Sequence, residues 1–101
     1  MFRYYILNGH EAVGTNDVLD WGERLEQNKA KIVAKTFVGK ILISTAFLGI
    51  DHSFGSGPPL LFETMVFGGK LDDETVRYTT WEEAEEGHKK MVEKVTIEEE
   101  K

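Results

Sequence analysis

Two runs of β-branched and aromatic residues dominate the middle of the sequence and constrain the fold more than any other feature. They cover residues 32–38 and 41–50, and only Gly39 and Lys40 separate them. Such runs are typical of strands, and a two-residue connection that contains glycine is typical of a β-hairpin. In the second run both alternating sets of side chains are largely apolar, as expected of a strand that is covered on both faces. We therefore expect this strand at the centre of an antiparallel sheet.

The flanking segments predict the other elements of a single α+β domain. Asn8-Gly9, a dipeptide that suits a type I′ turn, indicates a hairpin of residues 3–7 and 10–14. The elements predicted besides the two hairpins are a helix over about 17–27 that ends near Asn28, a strand over 60–67, a short strand around 76–78, and a last helix opened by the capping box Thr80-Trp81-Glu82-Glu83. The order is ββ-α-ββ-ββ-α, with a mostly antiparallel sheet of about five to six strands and two amphipathic helices. The domain covers residues 1–97, and the acidic residues 98–101 are expected to form a frayed tail.

Composition narrows the classes of function. The 101 residues include no cysteine, which excludes a disulfide framework, a cysteine zinc site and a thiol nucleophile. The first apolar run is too short for a signal peptide, and no stretch approaches the ~20 apolar residues of a spanning helix, so we expect a soluble cytoplasmic protein. The net charge of -6 disfavours DNA and anionic membranes as partners, although residues 29–70 carry five basic and two acidic side chains.

The loop over residues 51–59 is the least ordinary segment, and it contains histidine, phenylalanine, two glycines and two prolines. Gly55 and Gly57 leave backbone N–H groups accessible and Phe54 offers a ring, a combination that suits a phosphate and a base. The alternative is a long hairpin loop that is merely tolerated. The glycine spacing matches neither a P-loop nor a dinucleotide fingerprint.

Glu63 lies inside an apolar strand, where an unpaired carboxylate would be costly to bury. Its candidate partners are Arg77, Lys40 or an amino group of a ligand, and a structural ion pair is the more common outcome. Arg77 beside Tyr78 suits phosphate binding with base stacking, or pairing with an acid on the sheet. These residues therefore support either a ligand site or an ordinary ion pair.

The histidines predict no metal and no cofactor, because His10, His52 and His88 show no spacing typical of metal ligands. Asp51, His52 and Glu63 have the acid and base groups that a small nucleotide hydrolase would use. Neighbouring residues on a strand point to opposite faces, so Asp51 and His52 would converge only if the loop bends there. A further alternative is a protein-binding inhibitor that uses an exposed sheet edge or the loop.

Two stretches carry a family resemblance: ISTAFLGIDHSFGSGPPLLFETMVFGG over residues 43–69 and RYTTWEEAEEGH over residues 77–88. They resemble a widespread family of small proteins of bacteriophages, prophages and some bacteria, and the resemblance covers essentially residues 2–96. The family is similar to phage counter-defence proteins that act as sponges. Such sponges sequester the cyclic dinucleotide signals of bacterial anti-phage immunity (CBASS) in an oligomeric assembly.

The resemblance implies a non-catalytic protein in the cytoplasm of an infected bacterial host that binds a cyclic dinucleotide or a related small nucleotide. Such a ligand presents two bases and two phosphates, so its site needs aromatic faces, cations and backbone donors. A homo-oligomer, either a dimer or a tetramer, would complete that site across a symmetric interface. The residues assigned to ligand binding are His52, Phe54, Gly55, Gly57, Glu63, Arg77, Tyr78, Lys35 and Lys40.

Overall fold

The computed structural model describes residues 2–27 and 31–101 and has an α+β fold in the predicted order. Its elements are β1 (Tyr4–Asn8), β2 (Glu11–Thr15), α1 (Val18–Gln27), β3 (Ile32–Val38), β4 (Ile41–Phe47), β5 (Phe62–Phe67), β6 (Thr75–Tyr78) and α2 (Trp81–Glu100). All strand pairs are antiparallel and form two sheets, β1 with β2 and β3-β4-β5-β6 in that spatial order. The interior position of β4 in its sheet is confirmed. The predicted helix end at Asn28 lies outside the described residues.

The turn of the first hairpin differs from the prediction by one residue. Asn8 pairs with Glu11, so Gly9 and His10 form the connection. Of these two residues only Gly9 has a positive φ, 65°, whereas a type I′ turn needs a positive φ at both central positions. Glycine at the first central position fits type II′ instead. The predicted hairpin is therefore confirmed, and its predicted turn type is wrong.

The small sheet attaches to the larger one through the residues that follow β4. Tyr5 N donates to Gly49 O at 2.9 Å, and Asp51 N donates to Arg3 O at 2.9 Å. The left-handed backbone of Gly49, with a φ of 77°, turns the chain toward β1, so the strand predicted over 41–50 ends early. The predicted sheet of five to six strands is thus two sheets joined by a short antiparallel bridge.

One face of the larger sheet is covered by α2 and by the hairpin of β1 and β2. The side chains of β4 that are buried on this face are Ile41, Ile43, Thr45 and Phe47. The buried residues of α2 that meet them are Ala84, His88, Met91 and Val95. His10 of the hairpin stacks on Trp81 at the start of α2, with ring centroids 3.9 Å apart and ring planes 5° apart. This face therefore contains the core of the molecule.

α2 begins at the predicted capping box. The Thr80 hydroxyl accepts from Glu83 N at 3.1 Å, and Glu83 Oε1 accepts from Thr80 N at 3.1 Å. These two bonds satisfy donors that a bare helix end would leave unpaired, and such a cap contributes about 1 kcal/mol. The helix continues through Glu100, so most of the predicted tail lies in its last turn, where Lys70 Nζ donates to Glu98 O at 2.9 Å.

α1 packs on β1, and Asp17 caps its start, since Asp17 Oδ1 accepts from Asp20 N at 3.0 Å. Trp21 Nε1 donates to Gly49 O at 2.9 Å and ties the helix to the bridge between the sheets. The φ of 77° at Gly49 favours glycine there, and a Cβ atom would in addition require the end of the Leu25 side chain, 2.8 Å away, to move. In the described ranges, neither helix is both long enough and apolar enough to cross a membrane.

The opposite face of the larger sheet, which we call the open face, has neither helix packed on it within the described residues. Phe37 and Phe67, exposed to 68% and 45%, lie on it beside the half-buried Leu42. The single apolar stripe of α2 covers one face of the sheet, and α1 is engaged by β1. The prediction that β4 is covered on both faces is therefore correct for one face only in the described part of the chain.

Candidate functional site

The loop over residues 51–59 is fastened at its base by one carboxylate. Asp51 Oδ1 accepts from the backbone N–H of Ser53 at 2.8 Å and of Leu60 at 3.0 Å, and its Oδ2 accepts from Ser53 Oγ at 3.0 Å. Burial by itself raises the pKa of Asp51, but the hydrogen bonds from Ser53 and Leu60, with the nearby charge of His52, outweigh it and lower the pKa. The ionised carboxylate therefore holds the two ends of the loop together.

The backbone hydrogen bonds of the β4–β5 hairpin continue into the loop. His52 N donates to Leu60 O at 3.0 Å, close to the Asp51 carboxylate. Ser56 N donates to Ser53 O at 3.1 Å and closes a tight turn at the tip. The loop is thus an extension of the hairpin with a defined tip.

Phe54 lies at this tip in a conformation that its side chain disfavours. Its φ is 56°, in the left-handed region, and the residue is 90% exposed. This backbone conformation costs a residue with a Cβ about 1–2 kcal/mol of conformational free energy. Because the Phe54 ring is exposed, burial of apolar surface does not offset that cost. Local strain of this kind is concentrated at binding sites and active sites. Packing therefore gives no reason for a phenylalanine at this position.

The glycines on either side of Ser56 also have left-handed backbone, with φ values of 80° at Gly55 and 78° at Gly57. The backbone N–H groups of Phe54, Gly55 and Gly57 donate to no described residue, and residues 54–58 are all exposed. Successive unpaired N–H groups in such turns form concavities that attract anions. The tip therefore offers backbone donors beside the Phe54 ring.

A cleft of about 420 Å³ opens beside the tip, within the usual range for small-molecule sites. It is lined by Phe2, Arg3, Asp51, Phe54 and Gly55. Because Asp51 N donates to Arg3 O, the pairing of the two sheets is what brings an arginine to the loop. The cleft combines one cation, one carboxylate and two aromatic rings, a set that can bind a base and a phosphate together.

Sequence reasoning missed Phe2 and Arg3. Both lie far from Asp51 along the chain, and no local pattern links the first hairpin to the loop. One signal was available. The apolar run over 41–50 is longer than its hairpin partner over 32–38, so its last residues needed a second strand to pair with. The first hairpin was the natural candidate.

Glu63 has the structural partner that its position requires. Arg77 Nε donates to Glu63 Oε2 at 3.0 Å between the paired strands β5 and β6. The pair lies on the open face of the sheet and is partly exposed, since Glu63 pairs with Ala46 rather than with a core residue of β4. The ion-pair interpretation of Glu63 is confirmed.

Three other residues predicted to bind a ligand lie away from the loop. Tyr78 follows Arg77, so its side chain lies on the helix-covered face, where its hydroxyl donates to Thr64 Oγ1 at 3.1 Å. Lys35 lies on the open face of the edge strand β3. Lys40 precedes β4, at the opposite end of that strand from the loop. The predicted residues that the loop itself contains are His52, Phe54, Gly55 and Gly57.

A buried chain of hydrogen bonds links the sheet to α2. His88 Nδ1 lies 2.7 Å from Thr45 Oγ1, and His88 Nε2 lies 2.8 Å from Thr36 Oγ1. Thr45 Oγ1 lies 2.5 Å from Thr64 Oγ1, which also accepts from the Tyr78 hydroxyl. Burial lowers the pKa of His88 below its ordinary value of 6.5. Because both ring nitrogens have partners, His88 is accounted for as a core residue.

The acid and base groups considered for a hydrolase are largely committed to other contacts. The Asp51 carboxylate is hydrogen-bonded within the loop, and the Glu63 carboxylate is paired with Arg77. No three histidine, aspartate or glutamate side chains of residues 2–27 and 31–101 converge as metal ligands do. Of the three candidates, His52 alone keeps a side chain without a hydrogen-bond partner among the described residues.

Comparisons with known proteins do not assign a family. No protein-family model matches the chain, and neither a curated protein nor a solved structure matches it. The resemblance to phage counter-defence proteins stays a prediction from residues 43–69 and 77–88.

Proposed function

We propose that this protein binds and sequesters a cyclic nucleotide signal without turning it over, and that the loop over residues 51–59 is its contact surface. One observation supports this above the others: Phe54 is held in left-handed backbone at 90% exposure, beside Arg3 and unpaired backbone N–H groups. A base joined to a phosphate requires this combination of an aromatic face, a cation and amide donors. The role in the cell is that of a phage counter-defence sponge, as the sequence resemblance implies.

The cleft offers the ligand two kinds of contact, one for a base and one for a phosphate. A base stacks on Phe54, which contributes about 1–3 kcal/mol. A phosphate accepts hydrogen bonds from Arg3 and from the N–H groups of Gly55 and Gly57, and bonds to a charged group contribute about 1.5–3 kcal/mol. Asp51 shares the cleft, but three donors already approach its carboxylate and offset its charge. The commitment of Asp51 and Glu63 favours binding without hydrolysis.

Two copies of the chain fit such a ligand better than one. Each loop presents one strongly exposed ring, whereas a cyclic dinucleotide has two bases and two phosphates. A two-fold axis between loops would bring one Phe54 and one Arg3 to each half of the ligand. A nanomolar sponge needs about 12 kcal/mol, more than the contacts of one half-site contribute after the losses on association. The proposed assembly is therefore a dimer, or a tetramer of two such dimers.

Isothermal titration of the purified protein against a panel of cyclic di- and trinucleotides tests this proposal, with the linear dinucleotides as controls. Chromatography of the recovered ligand reports whether it is intact. We expect tight binding of a cyclic member, one ligand for two protomers, and unchanged ligand. Cleavage would overturn the proposal in favour of a hydrolase. Absence of binding by every member would overturn it in favour of a protein-binding inhibitor.

A further inference from the structure

A groove of about 600 Å³ runs between β6 and α2, and none of its lining residues belongs to the loop over 51–59. Its floor is apolar, with Val76 and Tyr78 on the strand side and Met91 on the helix side. Val76 is 40% exposed, although its neighbours on this face of the sheet form the core. The part of α2 that lines the groove, residues 82–94, is about 18 Å long. The groove is therefore an elongated apolar surface that the described chain leaves uncovered.

The strand that borders this groove has a free edge. Among residues 2–27 and 31–101, β6 pairs with β5 alone, so every second backbone N–H and C=O of β6 points away from the sheet. A peptide added at this edge would form main-chain hydrogen bonds, and its alternate side chains would point into the groove. At about 3.3 Å per residue, five or six extended residues match the length of the groove.

The charge of the groove is negative at the end near the start of α2. The charged residues that line it are Glu74, Glu82, Glu83, Glu86, Lys90 and Lys94. Lys94 is paired with Glu74, and Glu83 belongs to the capping box. Glu82 and Glu86 are exposed and form an ion pair with no described residue. A peptide with lysine or arginine side chains would complement these two carboxylates.

Gly87 keeps the floor of the groove in its present shape. A Cβ atom at this position would overlap the ring of Tyr78, which lies against the helix backbone. Glycine inside a helix lowers helix stability by about 1 kcal/mol relative to alanine. The packing of the Tyr78 ring against the helix backbone, which only glycine allows here, offsets that cost. The Tyr78 hydroxyl is fixed in turn by its bond to Thr64. The apolar floor is thus formed before any partner arrives.

We propose that this groove binds an extended basic peptide as a fifth strand beside β6. Its apolar side chains lie on Val76 and Tyr78, and its cations meet Glu82 and Glu86. A second copy of this chain would bring the same acidic rim to the same edge, so charge opposes an edge-to-edge pair. The groove shares no residue with the loop over residues 51–59, so the failure of either proposal leaves the other unaffected.

Fluorescence anisotropy tests the proposal on the full chain at low salt, with a labelled hexapeptide whose first, third and fifth residues are lysine, lysine and valine and whose other residues are threonine. The lysines and the valine then share the strand face that points into the groove. We expect micromolar binding, and no binding of the hexapeptide with glutamate in place of lysine. A third peptide carries N-methyl groups on alternate backbone nitrogens and keeps the charge of the first. It is expected to bind at least tenfold more weakly, because it cannot donate to the edge of β6.

A matched pair of double variants separates the groove from the general charge of α2. Glu82→Lys with Glu86→Lys is expected to weaken peptide binding at least tenfold. Glu85→Lys with Glu93→Lys changes the net charge equally on exposed positions outside the groove and is expected to bind within about twofold of the original. Equal losses in both pairs, undiminished binding of the N-methylated peptide, or no binding of the first peptide would each overturn the proposal. Slow hydrogen exchange at the outward-facing amides of β6 before any peptide is added would show that this edge is already paired, and it would overturn the proposal as well.

Discussion

The helix-covered face of the larger sheet and the loop over residues 51–59 are consecutive along the chain but are stabilised in opposite ways. On the covered face, Ile43 and Val66 are completely buried, and the removal of apolar surface from water fixes them. In the loop, one carboxylate and a few backbone bonds hold a tip whose ring is exposed. Packing explains the residue types of the first region and leaves Phe54 unexplained. The loop is therefore the region in which ligand binding would explain a residue that packing does not.

The largest expected effect belongs to the covered face. Ile43→Ala is expected to lower the free energy of unfolding by about 2–5 kcal/mol, because it removes buried methyl groups and leaves a cavity. Leu42→Ala, one residue away on the open face, is expected to lower it by about 1 kcal/mol. Denaturant unfolding of both variants measures the difference. Equal losses would mean that the open face is covered in solution and would contradict the contrast between the two faces.

The next effect concerns the fastening of the loop. Asp51→Ala leaves the N–H groups of Ser53 and Leu60 without their acceptor, and we expect a loss of about 1–3 kcal/mol and faster hydrogen exchange at those amides. Glu85→Ala, at an exposed helix position, is the control. Because the pKa of Asp51 is lowered in the folded state, its stabilisation is present at neutral pH and is lost as the pH falls below its ordinary pKa of 3.8. A variant with unchanged exchange would show that the carboxylate does not hold the loop.

The pH dependence of stability tests the buried chain on the covered face. The pKa of His88 is lowered by burial, so the unfolded chain binds a proton that the folded chain does not. Stability is therefore full above the ordinary pKa of 6.5 and falls below it, by up to about 1.4 kcal/mol per pH unit, until the folded pKa is reached. His88→Gln is expected to remove this slope, and the exposed His10→Gln is expected to keep it. A slope that survives in His88→Gln would assign it to another group.

The smallest expected change in stability, with the opposite sign, belongs to the tip of the loop. Phe54→Gly relieves the left-handed strain and is expected to raise the free energy of unfolding by up to about 1 kcal/mol, while nucleotide affinity falls at least tenfold. Phe37→Ala removes another exposed ring, on the open face, and is expected to leave affinity unchanged. Thermal unfolding and isothermal titration measure the two effects. Equal affinity in Phe54→Gly and the original protein would remove Phe54 from the site.

Much of the fold could be predicted because its signals are local. The runs on either side of Gly39, the capping box at Thr80 and the buried stripe of α2 are each contained within a few residues of sequence. The predicted position of the first turn was wrong by one residue, because cross-strand pairing, rather than the Asn8-Gly9 dipeptide, decides the register. The division into two sheets was also missed, since it depends on Gly49 and on contacts between distant segments.

The candidate site could be predicted only in part. The glycines and Phe54 identify the loop from sequence alone, because their types are unusual between two strands. Arg3 could not be found, since its position depends on the pairing of β1 with the end of β4. The separation of Arg77 from Tyr78 could have been foreseen, because neighbouring residues on a strand face opposite sides.

The most direct test of the central claim is an amide NMR titration of the protein with the cyclic dinucleotide that binds most tightly. The account predicts that the largest chemical-shift changes occur at residues 52–57 and at Arg3, and that the amides of α2 and of the open face change little. Changes confined to the groove between β6 and α2 or to the open face would contradict the assignment of the loop as the nucleotide site, as would a spectrum that does not change with any cyclic dinucleotide.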